Sequence, residues 1–157
     1  MHRIKWKKLI LLTALPIAVG ALAGFLTRGG MESFGLMRKP PLSPPAWLFP
    51  VVWTLLYAMM GAASYLVCTA CAAPARKRRA LTAYAVQLGA NFLWTLVFFG
   101  LGAYLAAFVW LVALWLLILL TAAMFGYISK NAGKLMLPYL IWVAFAGYLN
   151  LGVYLLN

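Results

Sequence analysis

The sequence predicts an all-α integral membrane protein, a single bundle of five transmembrane helices with a cytoplasmic N-terminus and an outside C-terminus. Three observations carry that prediction. First, the 157 residues are 67% hydrophobic with a mean hydropathy of +0.98, more apolar surface than a soluble domain can cover with so few polar groups. Second, there are five apolar runs: Leu9–Leu26, Ala46–Val67, Leu81–Phe99, Tyr104–Ile128 and Leu135–Leu155. Each approaches the ~20 residues a bilayer requires. They lack the apolar–polar alternation of membrane-barrel strands, and a helix pairs every backbone group within its own segment. Third, the charges are one-sided. Thirteen Lys/Arg face a single acid, Glu32. Five spans place Arg3, Lys5, Lys7, Lys8, Arg76, Lys77, Arg78, Arg79, Lys130 and Lys134 on one side. Only Arg28, Arg38 and Lys39 fall on the other, and cytoplasmic loops carry such an excess. In a soluble chain a net charge of +12 would suggest nucleic acid. Between apolar runs it reads as topology, and no nucleic-acid partner is expected. The Arg76–Arg79 run also has the composition of a lipid-binding patch.

The first span follows a basic front, as in a signal peptide, with Ala21-Leu22-Ala23 placed like a cleavage site. Its apolar run exceeds an h-region of about 7–15 residues, so it reads as an uncleaved helix. Gly20-x-x-x-Gly24 is a close-packing motif that would join helices within the bundle or between protomers. Pro16 in this span and Pro138 in the fifth are expected to bend their helices.

The longest connection, Thr27–Pro45, is expected outside, and long ordered loops tend to be functional. It ends in "KPPLSPPAWLFP", which carries five prolines between Pro40 and Pro50. Pro40-Pro41 favours an extended, stiff path. Ser43 suits an N-cap, with Pro44 at the first helical position and Pro45 in the first turn. Pro50 would remove one helical bond and bend the chain. The segment reads as a stiff lid and hinge that aims Trp47, Phe49 and Trp53.

The second span presents Phe49, Trp53, Tyr57, Met60 and Ser64 along one face, and carries Ala58-x-x-x-Ala62, a weaker packing motif. The third sets Gln87, Asn91, Trp94 and Phe98 four, three and four apart, which is one helical face. Two amides at bilayer depth need partners and should turn inward. They serve either as glue between helices or as the wall of a ligand site. The few residues Gly100–Ala103 make the third and fourth spans antiparallel neighbours. The fifth repeats the stripe with Tyr139, Trp142, Ala146, Leu149 and Val153, and Asn150 beside it. Trp6 and Trp47 fit the interfacial aromatic belt by position. Trp53, Trp94 and Trp142 lie deeper, where a belt accounts for them less well.

Conventional catalysis lacks its groups. The only histidine is His2, which alone makes neither a triad nor a metal site. One acid cannot form a carboxylate pair, and there is no phosphate loop. No metal or cofactor is expected. Cys68-x-x-Cys71 outside a thioredoxin-like setting reads as small buried cysteines.

Three stretches, "KPPLSPPAWLFPVVWTLLYAMMGAASYLV", "QLGANFLWTLVFFG" and "LPYLIWVAFAGYLN", resemble the translocator protein family. Its members are also called tryptophan-rich sensory proteins or peripheral-type benzodiazepine receptors. The likeness spans roughly residues 20–155. It implies a five-helix bundle, often a homodimer, with a pocket roofed by the first loop, and for a bacterial-type member a bacterial cell membrane. The ligands implied are porphyrins such as protoporphyrin IX and isoquinoline and benzodiazepine drugs, with cholesterol in animals. By motif, the pocket would use Ala23, Leu26, Phe34, Trp47, Phe49, Trp53, Asn91, Trp94, Trp142, Ala146 and Leu149. Some bacterial members are reported to degrade porphyrin in light, which makes Trp53 and Trp142 the candidates for that chemistry. Two departures stand out. Phe34 replaces the tyrosine of many members. Tyr154 has no basic residue after it, so the C-terminal cholesterol motif is incomplete; Lys134, Tyr139 and Val143 fit only the reversed, unspecific pattern.

Three readings follow. One is a membrane receptor or carrier for porphyrin-like and drug-like aromatic ligands. Another is light-dependent porphyrin degradation through pocket tryptophans. The third is a structural or partner-binding membrane protein, for which Gly20 and Gly24 would matter more than the tryptophans.

Overall fold

A computed structural model describes residues 4–157; His2 and Arg3 lie outside them. Its helices are α1 (Trp6–Leu26), α2 (Arg28–Gly35), α3 (Leu48–Thr69), α4 (Pro74–Thr95), α5 (Tyr104–Ile128) and α6 (Lys130–Leu156). A π-helical turn, Leu96–Gly100, prolongs α4. All but α2 are long and apolar enough to cross a membrane. Large apolar side chains such as Leu11, Leu15, Val109, Leu116 and Ile141 point outward, the surface that hydrocarbon rather than water covers. The protein is an integral membrane protein.

The long helices close into a ring in the order α1, α3, α6, α5, α4, with α1 meeting α4 more lightly and α3 touching α4 across the centre. Small residues set the closest approaches. Pro16 lacks the N–H that would bond the Leu12 carbonyl, and α3 presents Gly61 to that spot. A Cβ on Gly61 would stand 2.6 Å from the Leu12 oxygen, so only glycine lets the two backbones meet. Gly20 lies against the Tyr57 ring, with no room for a Cβ. Of the Gly20-x-x-x-Gly24 motif, Gly20 thus serves packing of α1 on α3, while Gly24 has only the Met31 side chain nearby. Both Pro16 and Pro138 sit within uninterrupted helices.

The ends differ from the sequence expectation in four places. The 27–45 connection contains a helix, α2, whose Gly30 packs against the Phe99 backbone. The Arg76–Arg79 run is not loop but the first turns of α4, which opens with Pro74 at its first position, where its missing donor costs little. Lys77 Nζ donates to the Ala70 and Cys68 carbonyls at 3.1 and 3.5 Å, pairing oxygens that the end of α3 leaves free. Lys130 and Lys134 lie in α6, which Ser129 caps by accepting from the Ala132 N–H.

Finally, Ser43 does not cap α3. Its hydroxyl donates to the Pro40 carbonyl at 2.7 Å, closing a turn in which Leu42 adopts φ 66°. The helix starts five residues later, with Trp47 as its N-cap residue. Pro50 therefore falls at its third position, where the N–H would be unpaired anyway, and removes no helical bond.

Candidate ligand cavity

One end of the bundle carries α2 and the proline segment, and the other carries most of the basic residues, Lys5, Lys7, Lys8, Arg76–Arg79, Lys130 and Lys134 among them. Toward the proline end the helices enclose a cavity of about 470 Å³, within the range of small-molecule sites. It exists because α1 and α6 present small residues there: Gly20, Ala23, Gly24 and Ala146. One or two turns further from the lid the facing positions are Tyr57, Met60 and Tyr139, all buried, and they fill the space.

Of the residues singled out in the sequence, Ala23, Phe34, Phe49, Trp53, Trp94, Trp142, Ala146 and Leu149 line this cavity together. Leu26, Trp47 and Asn91 do not. Leu26 is 55% exposed, because the inward line of α1 passes from Ala23 to Thr27, whose hydroxyl donates to the Ala23 carbonyl. Trp47 is 66% exposed at the start of α3, the outward position that suits a belt tryptophan. Asn91 is buried one turn below Trp94, and its amide donates to Tyr57 Oη at 3.0 Å. That bond fixes the tyrosine under the cavity.

The wall is a connected set of rings. Trp53 lies 6.3 Å from Trp94, 5.6 Å from Tyr57 and 6.2 Å from Tyr139, centroid to centroid. Phe34 of α2 reaches down to Phe49, Phe98 and Phe99 at 6.4, 5.6 and 5.5 Å, and Phe49 meets Trp142 at 6.0 Å. Edge-on and tilted pairs at such spacing are favourable for aromatic quadrupoles.

Polar groups in the wall are largely satisfied. Trp94 Nε1 donates to Asn150 Oδ1 at 3.2 Å, and Asn150 Nδ2 donates to the Tyr104 carbonyl at 2.8 Å. The Thr54 and Thr95 hydroxyls donate to carbonyls one turn back in their own helix. The Trp142 indole N–H is buried without an acceptor among the described residues. No group of three His, Cys, Asp or Glu among the described residues could hold a metal ion.

The roof is clasped to α6. Tyr148 Oη donates to the Pro41 carbonyl at 2.7 Å, and Pro40 sits against Gly152. The Asn157 side chain accepts from the Arg38 N–H at 3.1 Å and donates to the Arg38 carbonyl at 2.8 Å.

Sequence reasoning misses several lining residues, among them Lys39, Thr54, Tyr57, Phe99 and Asn150. Tyr57 and Asn150 lie on or beside stripes that the helical spacing marks. Phe99 carries no such signal, because the π turn, closed by the Leu101 N–H to Leu96 carbonyl bond at 3.0 Å, brings both Phe98 and Phe99 to the cavity. Lys39 reads in the sequence as a topology signal.

Comparison with known proteins gives one answer. The model of the TspO/MBR family matches residues 12–155. Tryptophan-rich protein TspO of Chlorobaculum tepidum is 39% identical over 150 residues, covering 95% of each chain. The protein of the same name in Archaeoglobus fulgidus is 37% identical, over 96% of this chain and 97% of its own. The translocator protein of Bos taurus is 35% identical, over 92% and 87%. With a five-helix bundle, an aromatic cavity under a proline-stiffened roof and matches of this extent, the chain belongs to the TspO/MBR family.

Proposed function

We propose that the protein is a membrane receptor or carrier that takes flat aromatic ligands, porphyrins among them, into the cavity beneath α2. Family membership supports the receptor or sensory role. One observation carries the ligand reading: Trp53, Trp94 and Trp142, from three different helices, meet around one open space. Flat rings offer stacking and apolar burial to a flat ligand at little entropic cost. The basic residues then face the cytoplasm, which puts the roof outside.

Quenching of tryptophan fluorescence by protoporphyrin IX tests the reading. Trp142→Ala is expected to weaken binding about tenfold or more, from lost stacking and burial, with the far-ultraviolet helix signal retained. Unchanged affinity would remove the cavity from the function.

A second reading, light-dependent degradation of the bound porphyrin, is favoured by the contacts of Trp53. Tyr57, Trp94 and Tyr139 all lie within 6.3 Å of it, so an oxidised indole has neighbours to relay the loss. A Trp53→Phe/Trp142→Phe double variant is expected to slow bleaching under light and oxygen. Equal bleaching would make the protein a bystander.

A further inference from the structure

We infer that Lys39 is an acid-recognising residue of the cavity, so that the preferred ligand is a flat aromatic molecule carrying a carboxylate. The inference rests on the ligand-binding reading above and names the ligand's chemical class.

Among the residues lining the cavity, Lys39 is the one formal charge, and no carboxylate accompanies it. Its ammonium rests 4.9 Å over the Phe34 ring, and that ring is itself part of the wall. Its single hydrogen bond runs to the Gly35 carbonyl at a long 3.4 Å, which leaves ammonium donors for another partner. The wall also offers the buried Trp142 N–H, which has no acceptor among the described residues. The Asn150 amide is bonded at both ends, and the Thr54 and Thr95 hydroxyls donate to their own helices. A cavity that offers a cation and an unpaired N–H selects ligands bearing acceptors, and an anion above all.

The position of Lys39 is built rather than incidental. Both of its chain neighbours are anchored to α6: Arg38 by the paired bonds to Asn157 and Pro40 by its fit against Gly152. The side chain therefore leaves a backbone held on both sides, which reduces the ordering cost of an ion pair. At the edge of an apolar cavity such a pair is less screened than on an open surface.

The alternative role for Lys39 is as a cap on the last carbonyls of α2. The test separates the two. Affinities of a porphyrin dicarboxylic acid and of its dimethyl ester are measured by tryptophan quenching in the parent, Lys39→Gln and Lys39→Arg proteins. Comparing variants cancels the different partition of acid and ester into detergent. Lys39→Gln is expected to weaken the acid about tenfold, the scale of a hydrogen bond to a charged group, and to leave the ester within twofold. Lys39→Arg should keep most of the acid affinity. Equal loss of acid and ester in Lys39→Gln would assign Lys39 to capping and overturn the inference, as would no loss of either. If neither compound binds the parent protein, the ligand reading fails and this inference with it.

Discussion

Two halves of one helix face do different things. On α4 and the turn that prolongs it, the stripe Gln87, Asn91, Trp94 and Phe98 is buried throughout. In the half nearer the basic end it is sealed: Gln87 Oε1 accepts from Tyr139 Oη at 2.9 Å, its amide lies 3.7 Å from Met60 Sδ, and Asn91 holds Tyr57. In the half nearer the roof the same stripe looks onto open space. The chemistry of the stripe does not decide between glue and wall. The facing helices do, with Tyr57, Met60 and Tyr139 against one half and Gly20, Ala23 and Ala146 against the other. The face therefore packs between helices over one part of its length and borders open space over the other.

That contrast can be broken from either side. The largest effect is expected at the seam joining α1 to α3. Gly61→Val would push methyl groups into the Leu12–Thr13 backbone, at a cost of about 3 kcal/mol or more. A thermal melt in detergent should register a large fall. Next is removal of the open half itself. Ala146→Phe fills cavity space, so porphyrin affinity should drop about a hundredfold by steric exclusion (about 2.7 kcal/mol) while helix content stays. Fluorescence titration beside circular dichroism checks both parts.

Breaking the sealed half should do the reverse. Gln87→Leu leaves the Tyr139 hydroxyl without its acceptor, and polar contacts inside membrane bundles are worth about 0.6–2 kcal/mol. The melting temperature should fall while porphyrin affinity stays within twofold. The smallest effect is expected at the roof clasp. Tyr148→Phe with Asn157→Ala removes the side-chain bonds to Pro41 and Arg38, and stopped-flow dissociation should quicken a few-fold, about 1 kcal/mol, without a change in melting.

The spans were legible because an apolar run of ~20 residues matches the hydrocarbon thickness and outruns an ordinary buried core helix. Their ends were not. The Arg76–Arg79 run breaks the hydropathy pattern but not the helix, since Arg and Lys are good helix formers. α2 was hidden by Gly29, Gly30 and Gly35, poor helix formers; the fit of Gly30 on the Phe99 backbone is a tertiary fact. At the site, period-3.6 spacing identified Trp53, Trp94 and Trp142 as inward-facing. It could not say that Asn91 falls just below the space, or that Trp47 precedes the first turn of α3 and points out. The motif-based assignments of Leu26 and Trp47 share that limit, since neighbours in a motif need not share a side. Lys39 was obscured by a sound rule, because a flanking cation is ordinarily topology.

The most direct test sets the two halves against each other in one assay. Protoporphyrin IX is titrated into Trp53→Ala and Gln87→Leu proteins under identical conditions, with the helix signal recorded for each. Trp53→Ala should raise the Kd about tenfold or more, while Gln87→Leu leaves it within twofold. Unchanged binding in Trp53→Ala, or a larger loss in Gln87→Leu, would contradict the placement of the ligand beneath the roof.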